Sequence, residues 1–294
     1  VAGLATFPTL SINKAGSGYT LSATGSGLPA ATSTPFTIAA GAAIELAFSV
    51  QPSTTTAGAP IAPAVQVRAL DAFGNTADFT GNVALGITVG TGGVGATLSG
   101  ATTVATVSGV ATFSGLSINR IGAAAQGTGY TLSATTAGLL GGTSNVFDIL
   151  TGPVSQVVFS VQPSTAMAGV ALAPAVEVTA QDASGNPVTT FTGNVTVALG
   201  ANPAGGTLSG TTTVAAVGGT ATFSTLSINK VGSYTLAATA TGLSGATSAA
   251  FDITPGAATQ LVFSVQPSTA TAATAISPPV RVTALDAFGD VATG

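Results

Sequence analysis

Between Val176 and Gln181 the chain alternates: Val176, Val178 and Ala180 are apolar, and Glu177, Thr179 and Gln181 are polar. A strand with one face on a core and the other in water has that period of two. Asp182-Ala183-Ser184-Gly185-Asn186-Pro187 then breaks the alternation with turn-forming residues. Further strand-like stretches follow at 191–199, 207–217, 220–228, 234–240 and 248–253, with 157–161 ahead of them. Turn signals part them every 8–12 residues or so, roughly the spacing of an all-β sandwich. No stretch repeats its apolar residues at 3.6, so no helix is predicted. About seven short strands in roughly 105 residues predict an all-β, immunoglobulin-like sandwich.

The pattern recurs. Ala221–Lys230 reads Ala-Thr-Phe-Ser-Thr-Leu-Ser-Ile-Asn-Lys, and residues 111–120 and 5–14 carry nearly the same ten. Phe48, Phe159 and Phe263 each open Phe-Ser-Val-Gln-Pro-Ser, 111 and 104 residues apart. Tyr19–Phe36, Tyr130–Phe147 and Tyr234–Phe251 are all 17 apart, whereas the stretch from Phe to Tyr ahead of them varies: 12, 17 and 11 residues. Constant spacings joined by variable ones describe a rigid framework with tolerant loops, repeated in tandem. Residues 1–41 read as the C-terminal half of one repeat, 42–152 and 153–256 as two complete repeats, and 257–294 as the N-terminal half of another. The chain therefore reads as a segment of something longer, and no signal-peptide pattern opens it. Joints of a few residues at Gly41-Ala42-Ala43, Gly152-Pro153 and Pro255-Gly256 predict little swing and a rod-like array.

Two details refine the sandwich. In the ten-residue stretch Ala221 and Phe223 share one face while Leu226 and Ile228 share the other, so a bulge or bend between them is needed to turn all four inward. Pro8 falls at that break in the first copy, where a missing ladder donor is tolerable. Tyr130-Thr131-Leu132 places a Tyr two residues before an inward position, as in a tyrosine corner, and Tyr19 and Tyr234 repeat it.

Composition removes most chemistry. There is no Cys, so neither disulfides nor thiolate metal sites form, and no His, which excludes the usual general base and most zinc sites. Charged residues make up 5% and the net charge is −4, so no basic face for nucleic acid or anionic lipid exists. Mean hydropathy is +0.61, yet Gly, Ser, Thr or Pro interrupts every apolar run, and membrane insertion is not expected. A nearly uncharged, hydroxyl-rich surface favours self-association, lateral or head-to-tail, with copies of itself or neighbouring repeats as partners.

Val-x-Val-x-Ala-x-Asp-Ala-x-Gly-Asn, at 65–75 and 176–186, resembles the bacterial Ig-like repeats of the invasin and intimin type. Gly-x-Ala-Thr-Phe at 109–113 and the segment Gly129-Tyr130-Thr131-Leu132 resemble the same family. The resemblance spans both complete repeats and both halves. It implies a cell-surface or extracellular bacterial stalk whose domains act mostly as spacers. The last copy departs from it, with Asp290 where Asn75 and Asn186 stand.

Asp71, Asp182 and Asp286 recur at one turn. As hard-cation ligands they would hold calcium at a joint between repeats, the one cofactor the pattern suggests. As Asx-type turns they would accept backbone N–H groups while Gly74, Gly185 or Gly289 takes a positive φ. A calcium site gathers two or more acids and only one recurs per turn, so the turn is preferred. Lys14, Arg120 and Lys230 close the ten-residue stretch. Arg120 cannot form a Lys–Asn isopeptide bond, so these read as solvated charges worth about 0–1 kcal/mol each. Asp148 and Asp252 align with Thr37 and read as outward strand positions. Nine acids spread over four repeats do not converge as glycoside hydrolysis requires. A nucleophilic Ser has no His to activate it. Residues 90–95 lack the helix and Lys of a phosphate cradle and read as a hairpin loop. Asn194-Val195-Thr196 matches a glycosylation sequon, a weak signal in a bacterial protein.

No catalytic or cofactor-binding residue is assigned, and the chain is not expected to be an enzyme. The sequence points to a structural segment, stalk or filament building block, of a large repetitive surface or extracellular protein. The alternatives are an adhesive or carbohydrate-binding module, and a self-assembling fibre subunit completed by strand exchange between 1–41 and 257–294.

Overall fold

A computed structural model describes residues 3–123 and 127–292. Every regular element among them is a β-strand, and no helix is long and apolar enough to cross a membrane. The chain divides into two compact units, 1–150 and 151–294.

In the second unit, Val176–Asp182 is the middle strand of an antiparallel sheet between Val154–Val161 and Thr220–Phe223. A second sheet pairs Asn194–Leu199 with Leu236–Ala240 at its centre, flanked by Thr213–Ala215 and Ala246–Thr247. The alternation read from the sequence is the alternation observed: Val176, Val178 and Ala180 are buried, and so is Asp182. Val178, Ala221 and Phe223 from one sheet meet Val195, Val197, Leu236 and Ala238 from the other in a single core. At about 1.5–3 kcal/mol for each large buried side chain, that core is what holds a sandwich without disulfides. The opening strand touches both sheets. Ser155 and Val157 exchange backbone hydrogen bonds with Ser244, and Ala166–Met167 runs parallel to Phe251–Thr254.

The seven strands expected appear as twelve shorter segments in this repeat. Thr235 separates Gly232–Tyr234, paired with Phe251–Thr254, from Leu236–Ala240, paired with Asn194–Leu199. At the break a side chain replaces the ladder: the Leu236 N–H donates to Ser248 Oγ (2.9 Å), and that hydroxyl donates to the Ala249 carbonyl (2.8 Å).

The first unit repeats this plan. Val65–Leu70 lies between Glu45–Val50 and Val110–Phe113, and Asn82–Ile87 pairs with Leu132–Thr135. Its own core gathers Val65, Val67, Phe113, Leu116, Ile118 and Leu132. The long middle loop falls at 121–129, of which 124–126 lie outside the described residues. Residues 16–38 form two strand pairs, and Gln260–Val265 pairs with Arg281–Leu285. Leu28 in the first segment and Leu261 and Phe263 in the second are open, as are Phe7 and Leu10 ahead of the first.

Candidate functional site

The recurring ten residues are a strand, a corner and a second strand. Thr220–Phe223 ends, and Ser227–Ile228 pairs elsewhere, with Leu208–Ser209. The change of partner between them brings Ala221, Phe223, Leu226 and Ile228 all inward, each at most 1% exposed. The two residues that close the stretch act as fasteners. Asn229 Oδ1 accepts the Thr207 N–H (2.7 Å), as Asn119 Oδ1 accepts the Thr97 N–H (2.8 Å). The carbonyls of Lys14, Arg120 and Lys230 accept the hydroxyls of Tyr19, Tyr130 and Tyr234 at 2.9, 2.9 and 2.8 Å. These are the tyrosine corners, and each Tyr ring rests against the Phe 17 residues on, 6.0–6.4 Å between centroids. Burial pushes the Tyr130 and Tyr234 hydroxyls up from the ordinary tyrosine value, and the Asp290 charge adds to this at Tyr234. The Lys14 and Lys230 side chains are exposed and that of Arg120 is half-buried; it is their backbone that the fold uses. Asp252 faces outward from its strand and Asp148 is half-buried.

The three recurring carboxylates sit in identical turns. Asp71 Oδ1 accepts the N–H groups of Phe73 and Asn75, both at 2.9 Å, and Gly74 takes φ 74°. Asp182 accepts from Ser184 and Asn186, and Asp286 from Phe288 and Asp290, in the same way. The second oxygen reaches back to the joint: Gly41, Gly152 and Gly256 donate their N–H to Oδ2 of Asp71, Asp182 and Asp286 at 2.7, 3.0 and 2.9 Å. All three acids are buried, at 3, 1 and 1% exposure. The donors outweigh burial, so each is held below the usual carboxylate range. The Asn75 side-chain amide leads at Asp71. Burial is the largest single effect at Asp182 but is overcome by Asn186, Gly152 and Ser184, and the Gly256 N–H leads at Asp286. Both oxygens of each acid thus accept backbone N–H groups, and at Asp71 and Asp182 a side-chain amide as well. Among the described residues, no group of three or more His, Cys, Asp or Glu is placed to hold a metal ion.

The residue four places after the Asp extends the joint. Asn75 Nδ2 bridges to both Asp71 oxygens (3.2 and 3.0 Å) and also donates to the Asn13 carbonyl (2.8 Å), while its Oδ1 accepts the Ala15 N–H (2.9 Å). In the second unit, Asp290 Oδ2 accepts the Val231 N–H (3.0 Å). There the Phe288 ring also seats against Gly169 and leaves no room for a Cβ at that position. In the sequence this position stands out only as a departure from the family pattern, because its contact exists only once the corner of the preceding repeat is in place.

Other recurring polar residues are also structural. Ser53, Ser164 and Ser268 donate to the carbonyls of Ala62, Ala173 and Ser277 at 2.6–2.7 Å, each just ahead of a cis-proline. Gln51 and Gln162 accept the N–H groups of Asn145 and Ala249. The Phe-Ser-Val-Gln-Pro-Ser run carries both residues, and its spacing alone does not reveal what they bond to.

No family model and no curated protein matches the chain. Solved structures that resemble it include invasin, a bacterial integrin-binding protein, at 15% identity and TM-score 0.33 over 85% of this chain and 47% of that one. InvD of Yersinia pseudotuberculosis is 17% identical, with TM-score 0.32 over 84% and 71%. A β-glycosidase from Bacteroides vulgatus is 12% identical, with TM-score 0.32 over 71% of this chain and only 25% of its own. The chain thus spans about a quarter of the glycosidase and about half of invasin. At these scores the likenesses carry no argument about activity, and the Ig-like fold stands on the sheet topology itself.

Proposed function

We propose that the chain is a structural segment, a stalk or filament building block, of a large repetitive bacterial surface or extracellular protein, and that it is not an enzyme. The observation that carries this reading is the use of its recurring polar residues. The Asp turns, the loop-fastening Asn, the Tyr corners, the Ser next to the cis-prolines and the Gln all serve backbone groups of the fold or of a joint. None converges on a cleft as binding or catalytic groups do. The family resemblance read from the sequence supports a surface location in the same sense. A glycan array probed with the whole chain tests it, with no saturable, sugar-specific signal expected. Specific, saturable binding would replace the spacer with a carbohydrate-binding module, although Tyr130 and Tyr234 are committed to the core.

A further inference from the structure

We infer that the residue four places after the turn Asp grades the joint between successive repeats: Asn makes a two-way clasp, and Asp makes a one-way one. The two joints inside the compact units allow a direct comparison. Asn75 accepts from Ala15 through Oδ1 and donates to the Asn13 carbonyl and the Asp71 carboxylate through Nδ2. One amide therefore ties the corner of residues 13–15 to the turn of 71–75 in both directions. The glycine bond is common to both joints, Gly41 to Asp71 and Gly256 to Asp286, so it does not distinguish them.

Asp290 keeps half of this. Its Oδ2 accepts from Val231, as Asn75 Oδ1 accepts from Ala15. A carboxylate has no N–H to offer. The carbonyl of Asn229, which corresponds to Asn13, and the carboxylate of Asp286 both lose the donor that an amide supplies, and two anions stand four residues apart on one tight turn. The bond from Val231 is charge-assisted, which strengthens it. Against this stand a missing donor at two acceptors and the repulsion between two carboxylates, of which Asp286 is 1% exposed and poorly screened. On balance the Asp joint is the looser one. The inference rests on joint geometry alone, so a spacer and an adhesive module would carry it equally.

Amide hydrogen exchange on the whole 294-residue chain reads it residue by residue, with the Ala15 and Val231 N–H groups as reporters. Asp290→Asn supplies the missing donor and should slow exchange at Val231 about fivefold, the effect of one net hydrogen bond. Asn75→Asp should speed exchange at Ala15 by a similar factor, about fivefold. Raising salt from 50 to 500 mM should slow Val231 in the native chain and leave Ala15 unchanged, because only one joint holds a like-charge pair. Faster exchange at Val231 in Asp290→Asn, or no change in either variant, would overturn the grading. So would equal salt responses at the two amides. Asp290→Asn adds a donor and removes a like charge four residues from the buried Asp286, so it is not a variant expected to unfold.

Discussion

At the scale of single residues, a recurring carboxylate serves as an acceptor for backbone N–H groups. Asp182 is buried, and N–H groups from Ser184, Asn186 and Gly152 donate to its carboxylate. Removing it leaves those donors facing a void, so Asp182→Ala should cost about 3 kcal/mol in urea unfolding. Because its native value lies below the unfolded value of about 3.9, its contribution is complete above that pH and is lost as pH falls through the native value. Unfolding midpoints should thus hold steady between pH 7 and 5 and drop by pH 3, and Asp182→Asn should drop less. Tyr234 makes a smaller, separable contribution. Tyr234→Phe keeps the ring against Phe251 and loses only the bond to the Lys230 carbonyl, which should cost about 1 kcal/mol at pH 7. The Asx turn and the Tyr corner were both legible because each is local, a fixed residue at a fixed offset from its own turn or strand. The joint contact of Asn75 was not, since its partners lie 60 and 62 residues away.

At the scale of elements, the change of phase in the ten-residue stretch is the sequence feature that maps most directly onto structure. Alternation places Ala221 and Phe223 inward, and the shift to Leu226 and Ile228 requires the chain to leave one sheet and join another pair. Leu226 fills the corner itself and is 0% exposed, so Leu226→Ala should cost about 3 kcal/mol through the cavity it leaves. Calorimetry should show that loss in the unfolding of the second unit, because every member of its core lies within 154–253. Period-two reasoning could not foresee the fragmentation of strands. Ser248 intrudes into the ladder at Leu236, and nothing in the alternation of a strand announces a hydroxyl that takes its neighbour's hydrogen bond. The two-residue hairpin at Gly218-Gly219, with φ of 58° and 82°, shows the opposite case. Positive φ at both positions is the demand of a type I′ turn, and the glycine pair announces it.

At the scale of the whole molecule, the two units carry separate cores built on one plan, and the same turn lies at each joint within them. Repetition in the sequence therefore reports a structural requirement met several times, and the residues that recur most faithfully are those that fasten corners and joints. We propose, as the central claim, that Asp71, Asp182 and Asp286 serve as acceptors for the backbone of a joint rather than as cation ligands. Amide exchange at Gly41, Gly152 and Gly256, recorded with and without millimolar calcium, tests it most directly. The predicted result is exchange at least about tenfold slower than in an unfolded chain at all three glycines, the same in both conditions. Exchange at unprotected rates without calcium, with protection appearing only when the ion is added, would contradict it.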